Sequence, residues 1–334
     1  MKHPLLIFFV CLGLFCACRT NQSSEGDEQS TVSTLPVPTF NADSAYQFVQ
    51  TQVDFGPRVP NTAAHRQAGD YLVATLKKYG LTVIEQPFTA ITYNGKKLAA
   101  RNIIGSYRPQ AAKRIMLASH WDSRPFADED STASLQAQPV PAANDGASGV
   151  GVLLELARVL SQDSTQPEIG VDIVFFDAED WGNSREANDP LGGFCLGSQH
   201  WAANKHLPNY TAYFGVLLDM VGAKGATFPK EGHSMQYAAD VVRTVWNTAS
   251  ALGYSQYFVD QLGPAIIDDH LPVNQTAKFP MIDIMHLKLN DLNRTFFDHW
   301  HTTHDTMEHI DPATLKAVGQ TLLQVIYQEA QPLQ

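Results

Sequence analysis

The sequence predicts an α/β fold: a single domain whose mostly parallel central sheet carries helices on both faces. Three observations lead there. From about Phe40 the apolar residues alternate between helical spacing and short continuous runs. Runs such as RIMLASH and VDIVFFDAE are apolar on both faces, as strands are when a sheet is covered on both sides. No second composition break and no internal repeat divides the 334 residues, a length that allows one large α/β domain or two small ones.

The elements follow in chain order. SAYQFVQTQVDFG and TAAHRQAGDYLVATLKKYG read as amphipathic helices, the second stopped by Gly80. LTVIEQPFTAITY and KKLAARNIIGSY read as strands, and RIMLASH as a buried strand. GASGVGVLLELARVL is a helix, VDIVFFDAE and YFGVLLDMVG are strands, and SMQYAADVVRTVWNTASALGY is a long helix. FPMIDIMHL is a further strand and PATLKAVGQTLLQVIYQEA the closing helix. Alternation of this kind builds a parallel sheet, because each parallel crossover is made by a helix.

The N-terminus reads differently. MKHPLLIFFVCLGLFCACRT has a short basic start and an apolar run from Leu5 to Ala17, too short for a relaxed membrane span and suited to a secretory leader. LFCAC places a Cys after a small residue and resembles the lipobox of bacterial lipoproteins, with Cys18 as the lipidated residue. Residues 1–17 are therefore expected to be a signal peptide and the Ser/Thr/Glu/Gln/Pro-rich residues 18–39 a flexible tether, leaving 40–334 as the folded domain. The expected location is periplasmic or outer-membrane-anchored through Cys18, with a soluble periplasmic protein as the alternative. Of four cysteines, Cys195 alone lies in the body, so no internal disulfide is available there. A net charge of −11 without a basic surface excludes nucleic acid as a partner. Contact with a membrane is expected only through the lipid, and the chain is expected to be a monomer.

The stretch IVFFDAEDWG carries the chemistry. A run of apolar residues ends on Asp177, Glu179 and Asp180. Unpaired ionised carboxylates at the end of a buried strand cost several kcal/mol each, roughly, so a positive charge is expected to meet them. In open α/β sheets the site lies at the carboxyl ends of the strands. Those ends carry His120 and Asp122, then Asp145 at a helix start, Glu179 and Asp180, Asp219, the run Asp268–Asp269–His270, and His299, His301 and His304. Each has a plain reading. Asp145 suits a helix N-cap, a single His at a strand end suits a satisfied polar residue, and the late histidines suit a solvated loop. Their coincidence on one predicted edge points instead to a metal site, since carboxylate oxygen and imidazole nitrogen are the ligands zinc takes in catalytic centres.

The set HWDS, NDGASG, FFDAED, LLDM and HWHTTHDT resembles the zinc aminopeptidase-like fold of the M28 peptidase superfamily (phosphorylase/hydrolase-like) over most of residues 45–330. HWDSRPF, LLDMVGA, IIDDHLP and the Trp-His-Thr of HWHTT are similar to the animal-type (type II) glutaminyl cyclases, including bacterial members. That resemblance implies a zinc-dependent catalytic domain over 40–334, with one zinc per chain held by Asp145, Asp180 and His301. Glu179 is then the acid/base, Asp268 and Asp219 share its proton-handling network, and Trp300 lines the substrate pocket. Trp181 is expected to wall the pocket on position alone. His120 and Asp219 could hold a second metal. The implied activity is glutaminyl-peptide cyclotransferase, an acyltransferase that turns the N-terminal glutamine of peptides or proteins into pyroglutamate with release of ammonia. A zinc-dependent M28 aminopeptidase and a non-catalytic binding ectodomain are the alternatives. One departure stands out: the second acid of the pair, commonly Glu in this superfamily, is Asp180, one methylene shorter.

Overall fold

The computed structural model describes residues 36–183, 191–289 and 295–331. The expected signal peptide and residues 18–35 of the expected tether lie outside the described residues, so neither expectation is tested by the fold.

Two helices come first. α1 (Ala42–Asp54) is capped by Asn41, whose side chain accepts the Ser44 N–H, and α2 (Ala63–Lys78) by Thr62. Gly80 then turns the chain in the left-handed region, with φ of 75°. β1 (Thr82–Ile91) and β2 (Lys97–Tyr107) are joined by a short turn and pair antiparallel, as a tight hairpin must. β3 (Arg114–His120) follows, then a single turn α3 (Ala133–Gln136), α4 (Ala147–Gln162) and β4 (Gly170–Phe176). Beyond them come α5 (Leu196–Ala203), β5 (Gly215–Asp219), β6 (Phe228–Lys230), α6 (Gly232–Ala251) and β7 (Phe258–Leu262). A short α7 (His270–Pro272), β8 (Met281–Met285) and α8 (Pro312–Glu329) complete the chain.

Among the described residues the main sheet has the order β1-β2-β4-β3-β5-β8. Its β4–β3, β3–β5 and β5–β8 pairs are parallel, and β1–β2 and β2–β4 antiparallel. The expected mostly parallel sheet is present, with an antiparallel hairpin added at one edge. α5 and the small β6–β7 ladder were not anticipated. An eight-residue helix and a three-residue strand leave too short a pattern to separate from loop, and β7 lacks the continuous apolar run of the buried strands, being exposed from Asp260 to Leu262.

Strand alternation explains how both faces are covered. Ile115 and Leu117 of β3 and Ile173 and Phe175 of β4 enter the core beneath α1, α4 and α8, together with Val49, Leu153 and Leu322. Met116, Ala118, Val174 and Phe176 point the other way and pack with Trp201 of α5 and Val273. Gly319 is needed on α8 because a Cβ there would lie 2.2 Å from the Phe40 ring.

The topology also places the site. β4 lies on one side of β3 and β5 on the other, so the winding direction reverses at β3, and a crevice opens outside the carboxyl ends there. His120 is opposite Phe176, and Asp219 opposite Met285. The loops after these strands therefore share one edge.

Candidate active site

The three acids that end β4 meet three different fates. Asp177 is fully buried and pairs with His65, whose Nε2 lies 2.9 and 3.0 Å from its two oxygens; the Arg101 N–H donates to it at 2.7 Å. The His65 ring stacks on Trp121. Asp180 accepts from Arg124 Nη1 at 2.9 Å. Glu179 has no cationic partner among the described residues: its Oε1 receives only the Cys195 thiol, at 3.5 Å. The positive charge expected at this strand end is thus partly protein, in Arg124, while the His65 ring is a hydrogen-bond partner of Asp177.

The backbone here is held tightly. Asp122 accepts the N–H groups of Glu179 and Asp180, at 3.0 and 3.3 Å, and so aims both side chains. Ala178, Met220 and His301, each next to or at a site residue, have φ of 56°, 50° and 55°. Non-glycine residues in the left-handed region cost of order 1 kcal/mol or more and persist where the surroundings over-determine them.

Asp145 lies just outside α4. Its side chain makes no capping bond, since the N-cap position belongs to Gly146. The N–H groups of Asn144 and Asp145 donate to the two oxygens of Asp305, at 2.8 and 3.0 Å, leaving the Asp145 carboxylate free to face the strand ends. The plain N-cap reading of Asp145 therefore fails. Gly146 admits the His120 ring, because a Cβ there would lie 2.4 Å from the His120 carbonyl oxygen and 2.6 Å from Nε2.

Two donor clusters share Asp145. In one, Asp145, Asp180 and His301 bring ligand atoms within 4.8 Å of one another, with His301 Nε2 3.2 Å from Asp180 Oδ1 and 3.8 Å from Asp145 Oδ2. In the other, His120 Nε2 is 3.0 Å from Asp145 Oδ1 and 3.3 Å from Asp219 Oδ1. All five residues are buried. The first cluster fits a zinc ion by its donor chemistry: two carboxylates and an imidazole, a face left toward the cavity, and His301 Nδ1 3.3 Å from Asp128, which fixes the ring with Nε2 turned inward. Of the histidines near the C-terminal loop only His301 enters the cluster. His299 stacks on His309, and His304 is exposed.

Electrostatics separate acids from ligands. Burial pushes Glu179 well above the usual carboxylate range, with the charges of Asp180 and Asp268 adding to it. Burial, then the charge of Asp145, raises Asp219 to about 6. Burial and Asp219 likewise raise Asp268. Burial opposes charge on His120, yet its contacts with Asp122, Asp145 and Asp219 win and raise it. A bound cation would reverse that preference and leave His120 and His301 neutral. Asp268 Oδ1 accepts the Asp269 N–H at 2.5 Å, and its Oδ2 is buried without a hydrogen bond. Ligand atoms of Asp268, Glu179 and Cys195 come within 4.8 Å of one another.

Above these groups opens a cavity of about 320 Å³. Asp145, Glu179, Asp180, Asp219, Asp268 and His301 form its polar end, and Leu191, Phe194, Ile266, Phe296 and Trp300 its apolar walls. The Trp300 ring stacks on His301 at 3.6 Å and meets Phe296 at 4.4 Å. Trp181 stands apart from that lining. It is buried with Val59, Leu98 and Ala178, and the Lys96 ammonium covers its ring at 4.4 Å, so the wall expected of it comes from Leu191 and Phe194. Sequence reasoning assigned no role to Arg124, Asp128, Asp305 or Cys195. HWDSR and TTHDT did offer a signal, a charged residue a few positions from each expected ligand.

Residues 102–326 match the model of Peptidase family M28. The chain is similar to a Bacteroides thetaiotaomicron glutaminyl cyclase bound to N-acetylhistamine, with 50% identity and a TM-score of 0.83 over 87% of this chain and 99% of that one. It is also similar to a Zn-dependent exopeptidase from Parabacteroides distasonis, with 52% identity and a TM-score of 0.84 over 87% of this chain and 99% of that one. A glutaminyl-peptide cyclotransferase of Boiga irregularis is 28% identical over 290 residues, 80% of this chain and 75% of that protein. With the family model running from within β2 into α8, and so over β3, β4, β5, β8 and every loop that brings a member of the two donor clusters to the sheet edge, the chain belongs to Peptidase family M28.

Proposed function

We propose that the chain is a glutaminyl-peptide cyclotransferase, closing the N-terminal glutamine of peptides to pyroglutamate with release of ammonia. One observation carries the reading: a buried glutamate, without a cationic contact among the described residues, sits beside a three-donor cluster suited to zinc at the polar end of an aromatic-walled cavity. Its support is the half-identical glutaminyl cyclase covered almost end to end.

In the reaction the α-amine nitrogen bonds to the side-chain amide carbon, and the bond from that carbon to the amide nitrogen breaks. Closure is intramolecular, so the substrate supplies its own proximity. A single zinc held by Asp145, Asp180 and His301 would supply Lewis-acid polarisation of the amide carbonyl. Glu179 takes a proton from the attacking amine and gives one to the departing ammonia. Burial and the neighbouring Asp268 suit it to that exchange by raising its proton affinity. Trp300 and Phe296 hold the glutamine side chain. Asp122, through the Glu179 and Asp180 N–H groups, keeps base and ligand in register.

The His120/Asp145/Asp219 cluster favours a second reading, a two-metal aminopeptidase. Incubation with a Gln-initiated peptide separates them. The cyclotransferase releases ammonia and blocks the peptide's N-terminus without shortening it. Release of free glutamine with a shortened peptide would replace this proposal by the aminopeptidase.

We further infer that the leader is cleaved before Cys18 and that Cys18 carries lipid, holding a monomeric catalytic domain at the periplasmic face of a membrane. Among the described residues no helix is long and apolar enough to cross a membrane. Fatty-acid labelling of the wild type but not of Cys18→Ser is the expected result; equal labelling, or none in the wild type, points to a soluble exported protein.

A further inference from the structure

The shorter acid at position 180 raises a question that its neighbours answer. Arg124 is 2% exposed and uses every face of its guanidinium. Nε and Nη2 donate to the two oxygens of Asp128, both at 2.7 Å. Nη1 donates to Asp180 Oδ1 at 2.9 Å and contacts the Asp180 carbonyl at 3.3 Å, while Nη2 reaches the Gly182 carbonyl at 3.2 Å. Asp128 Oδ1 in turn lies 3.3 Å from His301 Nδ1, and His301 Nε2 lies 3.2 Å from the same Asp180 Oδ1 that Arg124 holds. Arg124, Asp128, His301 and Asp180 thus form a closed ring. The Phe126 and Phe194 rings lie 4.5 and 5.6 Å from the guanidinium carbon and shield it from water.

We infer that Arg124 and Asp128 are positioning residues for the zinc site: one guanidinium fixes Asp180 directly and His301 through Asp128, so two ligands from distant loops move as one unit. This rests on the zinc reading above. A bidentate Arg–carboxylate pair has fixed planar geometry, which a lysine could not reproduce. Asp180 has one methylene fewer than a glutamate and reaches less far. It is held by its N–H on Asp122 as well as by Arg124 on its carbonyl and carboxylate, so its short side chain is presented in one orientation. Asp128 gives His301 the carboxylate partner that orients a ligating imidazole. A guanidinium that served only to neutralise a buried acid would need Asp180 alone. The bidentate bond to Asp128, whose own side chain is 44% exposed, has no such need.

The test is the zinc affinity of the purified full chain, measured by chelator competition for wild type, Arg124→Met, Asp128→Ala and the double variant. Melting of each metal-free protein is followed alongside. Each single change is expected to weaken zinc binding by about 10–100-fold. The double variant should be little worse than the weaker single one, because both residues act through one ring. Metal-free Asp128→Ala should melt lower than wild type, because the buried Arg124 loses two hydrogen bonds, but it should still fold cooperatively, so that zinc affinity is read on a folded chain. Wild-type zinc affinity in both single variants overturns the inference, as do losses that simply multiply in the double variant. If Arg124→Met does not fold, Asp128→Ala decides alone, with unchanged affinity as the refuting result. Wild-type protein that binds no zinc at all overturns the zinc reading and this inference together.

Discussion

Replacing Glu179 by Gln removes one proton acceptor and little else. The backbone at 179 is fixed independently of the side chain: its N–H donates to Asp122 at 3.0 Å, and its carbonyl accepts from the Cys195 N–H at 2.9 Å. The amide can still accept from the Cys195 thiol. Burial already disfavours the charged form of Glu179, so a neutral amide should leave stability within about 1 kcal/mol of wild type. Catalysis should not survive so well. Loss of a general base costs about 10²–10⁴ in kcat, or roughly 2.7–5.4 kcal/mol at 1.36 kcal/mol per tenfold. KM should change far less, because the cavity walls and ligand cluster are untouched. The assay is ammonia release from a Gln-initiated peptide beside zinc content. In wild type, kcat/KM should fall as pH drops through the Glu179 pKa. Because that value is raised, the fall should begin at higher pH than an ordinary carboxylate allows, and the limb should vanish in Glu179→Gln. A variant that keeps near-normal kcat refutes the acid/base role. One that loses its zinc, while Asp180→Asn keeps zinc, reverses the roles of the two acids.

Elemental analysis should find close to one zinc per chain, lost with activity in Asp145→Ala and His301→Ala; Asp180→Asn should lose both in part and recover with added zinc. Two equivalents held at comparable strength would favour the aminopeptidase. Gly146→Ala should lower activity and destabilise by about 1–3 kcal/mol, as its methyl enters the space of His120; melting and ammonia release check it. Glu231 caps α6 and faces His270 at 3.3 Å. Burial opposes its charge, but His270 and the cap bonds prevail and lower its pKa to about 2. With the folded value below the unfolded one, its stabilisation is present above about pH 4.5 and lost as pH falls toward 2. Glu231→Gln should melt lower at neutral pH and show a smaller drop across that acid range.

The main sheet was legible because its strands are apolar on both faces and its helices long enough to show their period. α5, β6 and β7 were not: α5 and β6 are too short for a periodic signal, and β7, as short as β5 and β8, is largely exposed where they are continuously buried and apolar. At the site, the residues that meet at strand ends could be read off the topology rule, and His120, Asp145, Glu179, Asp180, Asp219, Asp268 and His301 do converge there. Sequence could not show which side chain meets which acid. His65 reaches Asp177 from α2, and Arg124 reaches Asp180 from the loop after β3, pairings made by tertiary packing alone. Trp181 shows the converse error: proximity in sequence to Asp180 does not put its ring in the cavity, because the strand end turns it into the cluster behind β2.

Asp145, Asp180 and His301, the three donors of the candidate zinc cluster, come from loops after β3, β4 and β8, and Phe40 is tied to the last helix by its N–H on Gln320, at 2.9 Å. A chain folding from its N-terminus therefore cannot close the cluster until His301 has joined the sheet. Contacts of such sequence separation form slowly, since loop closure must precede any return from them. A zinc ion held there would therefore be expected to enter after the sheet is assembled rather than to nucleate it. An ion that bound the native chain and not the open one would act on the rate of unfolding, as a lock closed last that must be opened first.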